Sequence, residues 1–102
     1  MRSCLLTYEA KQDLFDIRSY ITREAGARLA KSTLTKIKDA LVFLGRTPGA
    51  GHIREDLTAE PVKFWYVFSY LIVYDPATRP VQIIQIIHGS REHSDILAQD
   101  GD

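Results

Sequence analysis

One strand-like run near the end of the chain is apolar on both of its faces, and it limits the available folds more than any other feature. The run spans Val81–Ile87, and strand side chains alternate between two faces. Regular alternation predicts one face with Val81, Ile83 and Ile87 and another with Ile84 and Ile86. A chain of 102 residues forms one domain, 1–102, with a single layer of helices to cover such a sheet. The second face therefore predicts a binding partner.

Charge is unevenly distributed, although the formal net charge is zero. Residues 8–44 carry seven basic and five acidic side chains, a net charge of +2, whereas residues 45–102 carry five basic and eight acidic ones, a net charge of −3. Affinity for nucleic acid depends on neutralising phosphates, so the second half is a poor platform for RNA. We therefore expect no direct nucleic-acid binding.

Membrane insertion and secretion are not expected either. Uncharged runs reach 11 residues, as at residues 64–74, whereas a membrane-spanning helix needs about 20. The apolar piece Cys4–Leu6 is too short for the core of a signal peptide. A single cysteine cannot form an intramolecular disulfide, which fits a reducing compartment. The expected location is the cytoplasm.

Two amphipathic helices are predicted after a short opening strand at residues 2–7. Thr7 is a suitable N-cap, and Gly26 and Gly45 are suitable C-terminal residues for helices ending near residues 25 and 44. A connection this short predicts an antiparallel helical hairpin. The apolar stripes that recur at helical spacing are Ala10, Leu14, Ile17 and Ile21, then Ala30, Leu34, Ile37, Leu41 and Leu44.

The second half predicts a meander of strands. They are expected at residues 62–68, 71–74 and 81–88, with turns at Ser69-Tyr70 and at residues 75–80, and with a short additional strand at residues 52–57. Strands joined by short turns run antiparallel. The predicted fold class is α+β: a β-α-α-β-β-β order, an antiparallel sheet with the helical hairpin on one face, and a short C-terminal helix that contains Ile96 and Leu97.

Metal and cofactor chemistry find little support in the sequence. His52, His88 and His93 have no short ligand spacing, and there is no cysteine pair. Gly49-Ala50-Gly51 lacks the Lys and Ser/Thr that come next in a phosphate-binding loop. We therefore expect neither a metal nor a cofactor.

A metal-independent ribonuclease site is the one catalytic arrangement that the polar residues allow. Such a site needs an acid, a base and cations that stabilise the developing phosphorane charge. The structural alternative, which we favour, is that His88 caps a strand end and Arg91 pairs with nearby acids. The ribonuclease candidates are Arg54, Lys63, His88 and Arg91.

Aromatic residues are concentrated in the strand at residues 62–68. Alternation puts Phe64, Tyr66 and Phe68 on one face and Trp65 on the other. Such residues stack on bases in RNA-binding proteins, but strands also use them for core packing. We expect one set to pack in the core and Trp65 to be a partner-facing anchor.

Four segments, in this order along the chain, resemble the ParE branch of the ParE/RelE toxin superfamily, the toxic halves of bacterial type II toxin–antitoxin modules. The resemblance spans nearly the whole chain. The matching pieces are Ala10-x-x-Asp13-Leu14-x-x-Ile17-x-x-Tyr20-Ile21, Gly51-His52-Ile53-Arg54-Glu55-Asp56-Leu57, Tyr70-Leu71-Ile72-Val73-Tyr74 and Ile86-Ile87-His88-Gly89-Ser90-Arg91-Glu92.

The resemblance implies the same fold and a protein partner. An antitoxin segment would wrap the chain and cover apolar surface, with Trp65, Ile84, Ile86 and Arg91 as the candidate antitoxin- or target-binding residues. Without antitoxin, we expect the chain to form a homodimer or to fold its own C-terminal segment over Ile84 and Ile86. ParE-type toxins are described as poisoning DNA gyrase, whereas RelE-type relatives cut messenger RNA on the ribosome.

The resemblance leaves three functions open. The favoured one is a non-catalytic gyrase inhibitor of a plasmid-stabilisation module, which a cognate antitoxin neutralises. It is favoured because the ribonuclease branch is strongly basic on its sheet, whereas the second half of this chain is acidic on balance. The alternatives are a ribosome-dependent endoribonuclease and an inactive module that binds only its antitoxin.

Overall fold

The structure, a computed structural model, describes residues 4–88 of the chain. Their order confirms the predicted α+β fold, and the predicted C-terminal helix lies outside the described residues. A short 3-10 turn at Pro48–Ala50 comes after the second helix. The elements are β1 (Cys4–Leu6), α1 (Tyr8–Ala25), α2 (Ala27–Arg46), β2 (Lys63–Val67), β3 (Tyr70–Asp75) and β4 (Val81–His88).

Local hydrogen bonds at both ends of α1 stabilise the predicted helical hairpin. The hydroxyl of Thr7 accepts a hydrogen bond from the amide of Ala10 at 3.1 Å, which satisfies one of the free amides of the first turn. Gly26, at φ 98°, separates the helices, and its amide donates to the carbonyls of Ile21 and Thr22 at 3.1 Å. Only glycine adopts this conformation at little cost, so the chain reverses here and α2 packs antiparallel to α1.

The sheet is mixed: the antiparallel pairing predicted for the consecutive strands β2, β3 and β4 is confirmed, and β1 adds one parallel pair. Its order is β1-β4-β3-β2, with β2–β3 and β3–β4 antiparallel but β1–β4 parallel. A parallel pair needs a long crossover, and the helical hairpin with the strands after it provides one between β1 and β4. The opening strand thereby pairs with the last one.

A β-bulge in β4 corrects the predicted register of this strand. Tyr74 lies opposite Ile83, but the next residue back, Val73, lies opposite Gln85. Ile84 is therefore the extra residue that interrupts the pairing. Such an insertion reverses the side on which every later residue of the strand lies.

The predicted face of Ile84 is correct, but the predicted faces of Ile86 and Ile87 are wrong. Ile86 packs with Val81 and Ile83 in the core beneath the helices, whereas Ile87 packs on the opposite side of the sheet, where it is joined by the partly buried Ile84. The chain therefore presents Ile84 and Ile87, not Ile84 and Ile86, on the second face.

That second face, here called the outer face, is partly covered by the chain itself. Its buried residues are Phe64, Leu71, Val73 and Ile87, and Leu57 and Val62 pack against them. The last two belong to residues 51–62, which connect the 3-10 turn to β2. The sequence pattern predicts a partner for the whole of this face, and the connecting segment reduces the area that a partner has to cover.

The connecting segment is not the short strand predicted at residues 52–57. His52 alone forms a bridge with Phe64, through mutual backbone hydrogen bonds of 2.9 and 2.8 Å. The chain then turns, because the amide of Leu57 donates to the carbonyl of Arg54 at 3.0 Å. This turn brings Leu57 back to the outer face.

A buried tyrosine holds the start of this segment in place. The hydroxyl of Tyr74 accepts from the amide of Gly51 at 2.8 Å and donates to the carbonyl of Pro48 at 2.7 Å. Burial raises the pKa of Tyr74, and the hydrogen bond from Gly51 opposes that shift. A side chain at Gly51 would overlap the tyrosine, so the close approach requires glycine.

Among the described residues, no helix is long and apolar enough to cross a membrane.

Candidate functional site

Arg54 lies on the outer face and is held by its neighbours. Its guanidinium donates to the two carboxylate oxygens of Asp56 at 2.9 and 2.7 Å and to the hydroxyl of Tyr66 at 3.4 Å. The bond to Asp56, then the bond to Tyr66, raises the pKa of Arg54, which stays charged. Tyr66 lies opposite Leu71, which belongs to the outer-face cluster. The bond to Tyr66 therefore places Arg54 on the outer face.

Lys63 points to the opposite side of the sheet. It pairs with Tyr74, whose side chain packs in the helix-facing core. The ammonium nitrogen lies 3.4 Å from the carbonyl oxygens of Gly49 and Gly51. Arg54 and Lys63 are therefore on different faces, and the structure does not bring them together.

His88 is placed at the end of β4, also on the helix-facing side. Its ring meets the ring of Tyr70 edge-on, with centroids 5.0 Å apart and planes at 82°. Tyr70 itself is buried, and this burial raises its pKa. Arg91, the fourth ribonuclease candidate, lies outside the described residues. Among the described candidates, Lys63 and His88 thus lie on the helix-facing side and Arg54 on the outer face, so the three do not share one face of the sheet.

Trp65 lies at the edge of the sheet, on the side that carries the helices. Its ring is tilted against Phe43 of α2 at 5.3 Å and stacked on His52 at 6.3 Å. It is partly buried, whereas Phe64 is buried in the outer-face cluster. The predicted division of Phe64 and Trp65 between two faces is confirmed. Phe43, Trp65 and His52 form what we call the aromatic corner.

The two candidate isoleucines differ in accessibility. Ile84 is partly buried and packs at the margin of the outer-face cluster. Ile86 is 3% exposed and lies in the core under the helices. A partner at the outer face therefore meets Ile84 and not the side chain of Ile86.

The hairpin tip between β2 and β3 holds a residue that sequence reasoning missed. The turn comprises Phe68 and Ser69, one residue earlier than the predicted Ser69-Tyr70 turn. Phe68 has φ 54° and is 67% exposed. A large aromatic side chain in this left-handed conformation is costly, and Asn or Gly is usual in such turns. The available signal in the sequence was Phe68 itself, a large apolar residue directly before the predicted turn residue Ser69.

Within residues 4–88, no group of three or more His, Cys, Asp and Glu side chains is placed to hold a metal ion. Three candidate contact surfaces are the aromatic corner, the margin of the outer face and the hairpin tip. Aromatic side chains of this kind are enriched where proteins recognise one another.

A helical hairpin packs against an open four-stranded mixed sheet in which the first and last strands are neighbours, and the sequence matches a known family. The family model described as "ParE toxin of type II toxin-antitoxin system, parDE" matches residues 5–93. The chain therefore belongs to this family, and the resemblance noted from its sequence motifs is confirmed.

A solved structure shares this fold. It is titled "Chromosomal ParDE TA system from P. aeruginosa", and the similarity has a TM-score of 0.73 at 21% sequence identity. The match covers 86% of the present chain and 96% of that chain. At this identity the similarity concerns the fold. A search of curated proteins found no match.

Proposed function

We propose that this ParE-type toxin arrests bacterial growth by binding DNA gyrase without catalysis, and that a cognate antitoxin neutralises it in the cytoplasm. Membership of the ParE toxin family carries this proposal, because the family match covers residues 5–93. A binding function needs shaped contact surfaces rather than convergent acid–base groups. The aromatic corner and the hairpin tip are surfaces of that kind.

The separation of the cations supports a non-catalytic function over the ribonuclease alternative. Arg54 is bound by Asp56 on the outer face, whereas Lys63 contacts backbone carbonyls on the other side of the sheet. Phosphoryl transfer depends on several groups held around one reacting phosphate. Arg54 and Lys63 cannot surround the same phosphate from opposite faces of a sheet.

The antitoxin is expected to use the apolar positions that the fold leaves accessible. Trp65 at the aromatic corner and Ile84 at the outer face are the candidates among the described residues, and Arg91 remains a candidate beyond them. Ile86 is no longer one, since its side chain is enclosed in the core. Without antitoxin, the same apolar positions would favour self-association, which sedimentation of the isolated chain would detect.

The deciding experiment is pulse-labelling of DNA and protein synthesis after induction of the chain in bacteria. We expect DNA synthesis to fall first and the purified chain to inhibit gyrase supercoiling in vitro. Earlier loss of protein synthesis would contradict the gyrase proposal and restore the ribonuclease alternative. Growth without arrest, at equal protein abundance, would instead favour a module that binds only its antitoxin.

Two sets of variants separate these outcomes further. His88→Ala should leave growth arrest intact under the gyrase proposal, whereas a ribonuclease would lose activity. The control is Gly49→Ala, because a side chain there meets no atom within 4 Å. Trp65→Ala should weaken capture of the chain by the co-expressed antitoxin, and unchanged capture would remove Trp65 from the contact surface.

A further inference from the structure

Two side chains that precede or belong to α1 bond to the bulged part of β4. The hydroxyl of Thr7 donates to the carbonyl of Ile84 at 2.7 Å, and a carboxylate oxygen of Asp13 accepts from the amide of Ile86 at 2.8 Å. The register of β1 with β4 ends at Ile83. Thr7 and Asp13 therefore satisfy backbone groups along the edge of β4 that lies beyond this pairing.

The bond to Asp13 is compatible with the bulged register alone. The carbonyl of Ile83 accepts from the backbone amide of Thr7 at 3.0 Å, so it points away from β3. In a regular strand, successive residues direct their amides and carbonyls to alternate edges. An unbulged β4 would therefore direct the amide of Ile86 towards β3 and out of reach of Asp13.

A regular β4 defines the competing register. With Tyr74 still opposite Ile83, removal of the bulge would place Gln85 opposite Ile72 in the helix-facing core and move Ile86 to the outer face. The amide side chain of Gln85 would then be buried, which is unfavourable unless it finds hydrogen-bond partners. Two independent features, the polarity of Gln85 and the bonds from Thr7 and Asp13, oppose this register.

We infer that Thr7 and Asp13 are positioning residues for the outer face of the sheet. Their hydrogen bonds select the bulged register, and this register decides that Ile84 and Ile87, rather than Ile86, lie on the face that a partner meets. The inference concerns the isolated chain, so its failure leaves the proposed function untouched.

Matched substitutions at Asp13 test the selection. Asp13→Asn keeps an oxygen acceptor, whereas Asp13→Leu removes the acceptor and has a side chain of similar size. NMR of the isotope-labelled chain measures amide exchange and cross-strand contacts in each variant. We expect Asp13→Asn to keep Val73 opposite Gln85. In Asp13→Leu, exchange of the Ile86 amide should accelerate about tenfold or more, with loss of the Val73–Gln85 contact. Unchanged exchange and register in Asp13→Leu would overturn the inference.

Thr7 offers a second matched pair in case Asp13→Leu does not fold. Thr7→Ser keeps the hydroxyl, and Thr7→Val replaces it with a methyl group. The serine variant should retain the bulge, whereas the valine variant should show weakened Val73–Gln85 contacts. Equal contacts in the two variants would count against a positioning role for Thr7.

Gln85→Leu tests whether the bulged register is selected by the hydrogen bonds from Thr7 and Asp13 or by the polarity of Gln85. This substitution makes the competing register apolar beneath the helices but leaves Thr7 and Asp13 unchanged. We expect the bulge to persist in Gln85→Leu and to disappear when Asp13→Leu is added, which would place Val73 opposite Ile84. A register shift in Gln85→Leu alone would show that Gln85 makes the selection, and the inference would be wrong.

Discussion

The two faces of the sheet are buried by different means. The helix-facing side lies under two amphipathic helices, whose apolar stripes recur at regular spacing and supply residues from Ala10 to Leu44 to one core. The outer face has a smaller cluster, packed against Leu57 and Val62 from a connecting segment and against Ile84 at the bulge. Regular elements cover the first side, and an irregular loop covers part of the second.

This difference separates stability from recognition. Side chains under the helices are held from several elements, so any change in volume is felt throughout the core. The outer face keeps partly exposed residues such as Ile84 and Tyr66 at its margin. We therefore expect substitutions on the helix-facing side to act on folding and those at the outer margin to act on partner binding.

The largest expected effect is on the helix-facing side. Leu41 is fully buried there, and Leu41→Ala should lower the free energy of unfolding by about 2–5 kcal/mol because it leaves a cavity. Ile84→Ala, at the outer margin, should cost less than about 1.5 kcal/mol because its side chain is already partly exposed. Urea unfolding of both variants measures the difference, and equal costs would abolish the distinction between the faces.

The contact of Tyr74 with the start of the connecting segment should give the next largest effect on stability. A side chain at Gly51 overlaps the hydroxyl of Tyr74, so Gly51→Ala should cost about 1–3 kcal/mol of stability. Gly49→Ala, where no atom is near, should change stability by less than about 0.5 kcal/mol. Thermal unfolding compares the two variants. A harmless Gly51→Ala would mean that the loop covering the outer face is not fixed by Tyr74.

The hairpin tip should respond in the opposite direction. Phe68 adopts a left-handed conformation that costs a non-glycine residue about 1–2 kcal/mol, and its side chain is largely exposed. Phe68→Gly should therefore leave the chain more stable by up to about 1 kcal/mol, after the added backbone entropy of glycine. Ser69→Gly, in the same turn, is the control. Greater stability together with weaker growth arrest would identify Phe68 as a contact residue.

The smallest expected effect is a pH dependence in the alkaline range. Burial raises the pKa values of Tyr70 and Tyr74 above their ordinary value near 10. Their neutral forms are thus favoured in the folded state, so stability is fully present below pH 10 and decreases as the pH rises through the folded-state values. Denaturant unfolding between pH 9 and about 11 would show this decrease, and Tyr74→Phe should make it shallower. An unchanged slope in that variant would assign the effect elsewhere.

The helical half of the fold was predictable because its signals are local. Thr7 and Gly26 mark the ends of α1 through contacts within a few residues, and the apolar spacing identifies the buried side. The predicted end of α2 differs by two residues from the observed Arg46. Such a difference is ordinary, since the last turn of a helix depends on the conformation of the residues after it.

The bulge in β4 was missed although the sequence contains a sign of it. Gln82 and Gln85 are three residues apart, so both can avoid the helix-facing core only if the alternation is interrupted between them. Counting isoleucines alone concealed this, because isoleucine fits either face. The positions of the two glutamines carried the information.

The candidate site was less predictable than the fold. The sequence placed Arg54 and Lys63 in one strand-bearing half, but proximity in sequence does not determine the face on which a side chain lies. The turn after His52 carries Arg54 to the outer face, while the pairing of Lys63 with Tyr74 sends it to the other. A turn places Arg54 and cross-strand register places Lys63, and neither is visible from the residue types alone.

By itself, the sequence determined the order of elements, the helical hairpin and the family motifs, because helix periodicity, capping and turn residues act over a few neighbours. The tertiary structure decided the parallel pairing of β1 with β4, the bulge at Ile84 and the faces of Arg54, Lys63 and Ile86. These features depend on contacts between residues far apart in the chain, such as Asp13 with Ile86. Strand side chains have a period of two, so one inserted residue changes every face beyond it.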